Sequence, residues 1–185
     1  MKHILALFAV LTLSPAQAQD VNAQLADIAG KDPVKAAVAA EAALSSQSAT
    51  TRSLALEATL KSTDGRVRAI GYTYLIQKHK RLTIDVEIPP SFAADEQDPL
   101  KRTLRNSPTL TVEVLGYKAE NSTFNGMMYP HGPMSGSIAR DGLTINKVIN
   151  NGVDCVFRFN RVDAEYLTGT LTCRTLTLKI RSALP

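Results

Sequence analysis

Beyond residue 81 the chain alternates apolar and polar side chains with a period of two, and this pattern limits its folding options more than any other feature. Leu82, Ile84, Val86 and Ile88 alternate with Thr83, Asp85 and Glu87, and Leu110, Val112 and Val114 alternate with Thr111 and Glu113. Such a period places one set of side chains on a dry face and the other in water. Further strands are predicted near Ser122 to Met128, Met134 to Ala139, Leu143 to Ile149, Val153 to Asn160, Tyr166 to Cys173 and Thr175 to Ile180. Asp141-Gly142 and Asn151-Gly152 supply the backbone freedom of tight antiparallel turns. Consecutive hairpins predict an antiparallel β-meander that forms a small barrel or sandwich.

The cysteines fit that arrangement. Cys155 shares a strand face with Val153, Phe157 and Phe159, while Cys173 shares one with Leu171. A structural disulfide between Cys155 and Cys173 is expected, and closing a loop of that length stabilises by about 3 kcal/mol on the chain-entropy account. After Cys173 the apolar parity shifts to Leu176, Leu178 and Ile180, so a bulge or bend is expected near Arg174-Thr175.

The preceding region has a different texture. From Pro33 to Gln77 it is rich in Ala and Leu, which predicts helices packed against the β domain, an α+β fold. Asp32 caps the first, with Pro33 at its opening position, where a missing N–H costs nothing. A second helix is expected over 51–61 and a third over 66–77, with Tyr72 to Ile76 also readable as a strand. A shift of sixteen residues superposes Glu41 on Glu57, Ala42 on Ala58, Leu44 on Leu60, Ser46 on Ser62, Arg52 on Arg68 and Leu54 on Ile70. Stacked helical repeats give such a match, but so does biased composition, and ordinary helix packing is the simpler expectation because repeat arrays normally need three or more units. The long connection 89–108 reads as a loop, mobile or functional.

The first residues carry an address. Lys2 and His3 precede the apolar run Ile4 to Leu13, followed by Ser14-Pro15 and the small-x-small stretch Ala16-Gln17-Ala18. This is the pattern of a signal peptide over 1–18. The expected organisation is therefore 1–18 signal, 19–80 helical segment and 81–185 β domain. No later apolar run approaches the roughly 20 residues that span a bilayer as a helix. The expected location is periplasmic or secreted, where a disulfide persists.

Chemistry is sparse by comparison. Phosphate-cradling glycine motifs and the His-Glu-x-x-His zinc pattern are absent, and His79 and His131 are the only histidines after the signal. No cofactor is expected and no catalytic residue is assigned. Nucleic acid is not an expected partner, because a net charge of +4 spread over the chain makes no concentrated basic face. Asn121-Ser122-Thr123 matches a glycosylation acceptor, relevant only in a host that glycosylates exported proteins.

The densest unusual composition runs from Met127 to Met134. It contains Met127, Met128, Tyr129, His131 and Met134, three of the four methionines of the chain. One reading is an apolar recognition lip, with Lys78, Lys80 and Arg81 steering an acidic partner. The expected function is then that of an exported non-catalytic binding protein of the cell envelope, engaging an envelope protein, an envelope polymer or an apolar ligand. Two alternatives use the same loop. Met127, Met128, His131 and Met134 are soft ligands suited to copper in an exported protein. His131 with Ser135 or Ser137 and Asp141 holds the residue types of a small secreted hydrolase, although no nucleophile elbow surrounds either serine.

Overall fold

The computed structural model describes residues 15–94, 98–149 and 152–185, so most of the expected signal segment and Asn151 of one expected turn lie outside the described residues. Four helices come first: α1 Pro15–Ile28, α2 Pro33–Leu44, α3 Ala49–Lys61 and α4 Gly65–Lys78. The backbone N–H groups that open a helix lack internal partners, and a short polar side chain satisfies them. Asp32 accepts from the amides of Val34 and Lys35, Ser48 from that of Thr51, and Asp64 from those of Arg66 and Val67. These caps are sixteen residues apart. Tyr72 to Ile76 lies within α4, where Tyr72, Leu75 and Ile76 are buried, so the strand option for that segment is not realised.

The sixteen-residue correspondence is structural rather than a chance of composition. Ile28, Leu44, Leu60 and Ile76 recur at that interval, and all four are buried. Arg52 donates through one guanidinium nitrogen to the carbonyls of Ser46 and Gln47 at 2.7 and 2.8 Å. Arg68 repeats this with Ser62 and Thr63 at 2.8 and 2.9 Å. Neighbouring helices pack on one another, and so do the alternate pairs α1 with α3 and α2 with α4, which makes two layers of stacked helices. Small residues set the spacing: Ala36, Ala40, Ala43 and Ala55 are buried. At Gly71 an added Cβ would stand 3.0 Å from Leu60, so α3 and α4 approach through that glycine.

Eight antiparallel strands follow: β1 Arg81–Val86, β2 Thr109–Lys118, β3 Thr123–Tyr129, β4 Gly132–Ala139, β5 Gly142–Ile149, β6 Val153–Asp163, β7 Tyr166–Cys173 and β8 Leu176–Ala183. Each pairs with the next, and β1 pairs with β8 through Asp85 with Arg181 and Val86 with Ile180. The meander therefore closes into a barrel rather than a sandwich. Inward residues fill it, among them Ile84, Leu110, Phe124, Leu143, Ile145, Phe157, Phe159 and Leu171. Phe124 lies opposite Gly136, where an added Cβ would come within 2.1 Å of its ring, so the glycine leaves the space that the ring occupies.

Cys155 and Cys173 are direct cross-strand partners with Cα atoms 4.2 Å apart, and they form the expected disulfide. Of the bulge or bend expected near Arg174-Thr175, the structure has the bend. Cys173 pairs with Leu176 across a two-residue turn in which Arg174 is left-handed (φ 52), so a hairpin replaces the bulge and both side chains keep the inner face. Bulges lie instead between Val114 and Gly116 and between Phe159 and Arg161.

Connections in an up-and-down barrel alternate between its ends. One end carries the turns after β2, β4 and β6, and here the helices dock: α4 packs on β2, β4 and β5. A Cβ on Gly65 would stand 2.7 Å from the Arg140 carbonyl, which measures how closely α4 approaches the turn after β4. Arg68 donates to that same carbonyl at 2.9 Å, tying helix to barrel. The other end carries the connection from β1 to β2. That segment, read from sequence as a loop, holds a 3-10 turn Pro90–Ala94 and helix α5 Pro99–Asn106. Asp98 caps α5 by accepting from Leu100 and Lys101, Pro99 opens it, and Phe92, Leu100 and Leu104 are buried.

Candidate functional site

A concavity of about 1310 Å³ lies between the helical stack and the barrel end on which it sits. One wall is built where α2 ends and α3 begins, by Leu44, Ser46, Arg52 and Leu56. The opposite wall is α4, through Arg66, Ile70, Tyr74, Lys78 and His79, and the barrel contributes Ser122, Ile138 and Pro185. Helical periodicity explains the α4 wall, because Arg66, Ile70, Tyr74 and Lys78 recur every four residues and share a face. Leu56 is buried and Ile70 and Tyr74 are partly buried, so the groove has an apolar floor.

Its charged groups are mainly cationic. Arg52 spends hydrogen bonds on the Ser46 and Gln47 carbonyls, which fix its guanidinium without neutralising it. Arg66 pairs with Asp64 at 3.3 Å, and this guanidinium, together with the Arg66 amide, holds the Asp64 carboxyl below its ordinary range. Burial, with the Arg52 charge adding to it, keeps the His79 imidazole below its ordinary value. His79 meets the edge of Tyr74 at 6.0 Å between ring centres. Glu41 is the one acidic side chain among the described residues lining the groove. The face therefore suits a partner with apolar and acidic groups.

No family model matches the chain, and comparison with curated proteins and with solved structures finds no match. What the groove and the barrel can do is accordingly read from their own chemistry.

Of the residues singled out from sequence, Lys78 lines the groove, whereas Lys80 and Arg81 are exposed where α4 passes into β1, with Lys80 left-handed (φ 52). The stretch 127–134 does not assemble as an apolar lip. Consecutive strand residues point to opposite faces, so Met128 is buried inside the barrel and Met127 faces the other way. Met134 is buried from β4. Only Tyr129 is a large exposed apolar side chain there, and its hydroxyl bonds Glu113 at 3.3 Å. The same alternation corrects the copper reading, since Met127 and Met128 cannot converge on one ion with His131 and Met134. Among the described residues, no group of three or more His, Cys, Asp or Glu side chains is placed to hold a metal.

The hydrolase arrangement is corrected by distance. His131 precedes β4 and Asp141 follows it, so the eight residues of that strand separate them by roughly 25 Å. Proton transfer needs hydrogen-bond reach, and the carboxylate cannot orient the imidazole from the far end of the barrel.

Sequence reasoning missed three groups. Arg52 and His79 line the groove, and the sixteen-residue match of Arg52 with Arg68 was the available signal for the first. The third is Lys147, which occupies the inward parity of β5 with Leu143, Ile145 and Ile149 and is buried. A lysine inside an otherwise apolar set was legible in the strand pattern.

Proposed function

We propose that this protein is an exported, non-catalytic binding protein of the cell envelope whose partner docks in the groove between the helical stack and the barrel. The observation that carries this reading is the groove itself: about 1310 Å³, apolar at its floor and lined by the cations Arg52, Arg66 and Lys78, with Glu41 the single acid among its described lining residues. A volume of that size accommodates a peptide segment or a drug-sized ligand. Among the partners considered, an envelope protein presenting acidic and apolar side chains suits this lining best. The cationic rim speeds encounter, and the floor buries apolar surface. Export is supported by the amino-terminal pattern and agrees with the disulfide, since cystines persist in oxidising compartments.

A photocrosslinker placed in turn at Ser53, Thr73 and Thr172 in the native envelope tests the reading. Crosslinks to one defined partner are expected from Ser53 and Thr73, which line the groove, and not from Thr172 on the outer barrel wall. Reversing charge with R52E and K78E is expected to abolish them. Equal yields from all three positions would count against the groove. Export is tested separately: the mature chain is expected to begin at Gln19 and to fractionate outside the cytoplasm, and an intact amino terminus on a cytoplasmic protein would overturn that part.

A further inference from the structure

A second site is built at the barrel end remote from the helical stack α1–α4, the end that also carries α5, with no residue in common with the groove. The turn from β3 to β4 brings His131 to this end, and β5 delivers Lys147 to it from inside the wall. Lys147 is 8% exposed, and its Nζ donates to the Pro133 carbonyl at 2.8 Å. An ammonium has three donors, so two are left over. No carboxylate forms an ion pair with Lys147 among the described residues. His131 is next to it, and its Nε2 is buried without a hydrogen-bond partner.

Room exists beside these groups. Gly132 is inward-facing, and a Cβ added there would find only Lys147 Nζ within 4 Å, at 3.9 Å. The backbone at Gly132 (φ +89) favours glycine, so the space is not filled by a side chain. Burial lowers the Lys147 ammonium below its ordinary value, and burial with the Lys147 charge does the same for His131. A buried cation and a buried orphan nitrogen side by side are both costly when left unpaired. An anion with two acceptor oxygens relieves both at once.

We propose that Lys147 and His131 form a binding site for a carboxylate, one oxygen accepting from the Lys147 ammonium and the other from the neutral His131 Nε2–H, above Gly132. A charge-assisted bond to the lysine supplies most of the affinity, and the imidazole sets orientation. The neighbouring inward side chains Met128, Met134 and Ile149 are apolar, so the carboxylate belongs either to a small free acid or to the head of an acid with an apolar tail.

Thermal unfolding of the disulfide-bonded full chain at pH 7 decides this, with sodium acetate, sodium octanoate and sodium chloride compared at equal ionic strength. Saturating carboxylate is expected to raise the midpoint by about 5 °C over chloride. K147M is expected to lose the shift entirely, and H131F to lose at least half of it. A larger shift with octanoate than with acetate assigns an apolar acid, and equal shifts assign a small free one. Equal midpoints in all three salts, or a shift that survives in K147M, would overturn the site. If K147M fails to fold, the carbon-13 resonance of the Lys147 ε-carbon in the wild-type chain carries the same test. It moves on acetate addition if the site exists and stays still if it does not.

Discussion

The helical stack and the barrel hold themselves together by different means. In the helices the recurring devices are local: a cap every sixteen residues, an arginine clasping the carbonyls of the preceding turn, and alanines that let helices approach. In the barrel they are non-local: each strand is fixed by its neighbours, the interior is packed with Leu, Ile and Phe, and a disulfide joins β6 to β7. Local devices leave polar backbone and charged side chains at the surface, which is where the groove lies. Non-local packing gives a wall with little internal room, and a polar group caught in it, such as Lys147, is conspicuous.

The largest test of this contrast is Phe157→Ala. Phe157 is fully buried in the barrel, and the truncation is expected to cost about 3–5 kcal/mol in denaturant unfolding. If helices and barrel are one cooperative unit, far-ultraviolet signals for both are lost in a single transition. Two transitions would show that α4 docking is too weak to couple them. Next is the double variant Cys155→Ser with Cys173→Ser, expected to lose about 3 kcal/mol because the closed loop no longer restricts the unfolded chain. Comparison with the reduced wild type separates that effect from the added hydroxyls.

The paired arginines sharpen the comparison further. Arg52 and Arg68 make the same two bonds within the stack, but Arg68 also donates to Arg140 on the barrel. Arg68→Ala is expected to cost about 2–3 kcal/mol and Arg52→Ala about 1–2 kcal/mol, since bonds from a charged donor contribute roughly 1.5–3 each and partly share their effect. Equal losses would mean that the link to the barrel carries no stability.

The smallest expected effect is one of pH. His79 at the helical end and His131 at the opposite end both have folded values below the ordinary imidazole value, chiefly from burial. As pH falls through about 6.5, the unfolded chain takes up protons before the folded one does, so stability present above that pH is lost below it. His79→Gln and His131→Gln are each expected to flatten this decline in urea midpoints between pH 7 and 5. Tyr72, pushed up to about 12 by burial near the docked barrel turn, sets the opposite limit: stability is lost as pH rises above 10.

The difference in what could be read ahead of the structure follows the same division. Strand β7 was legible at both ends because alternation is a property of adjacent residues, and the cap Asp32 was legible because it sits beside the helix it starts, with Pro33 next to it. Helix α5 was missed although Asp98-Pro99 announces it, because only two buried leucines follow and the segment looked merely charged. The groove was half visible. Lys78 was named for its charge, but its companion Arg52 is 26 positions earlier, and nothing in a linear pattern brings them to opposite walls.

By itself the sequence determined the class of the barrel strands, the inner face of the strands carrying the cysteines, and the cap at Asp32, because all of these depend on side chains a few positions apart. Only the tertiary structure decided that β1 closes on β8, that the helices dock at one end of the barrel, and that Lys147 and His131 meet at the other. Those outcomes depend on barrel closure and on how α4 seats against the turn at Arg140, interactions between groups far apart in the chain whose geometry no local period encodes.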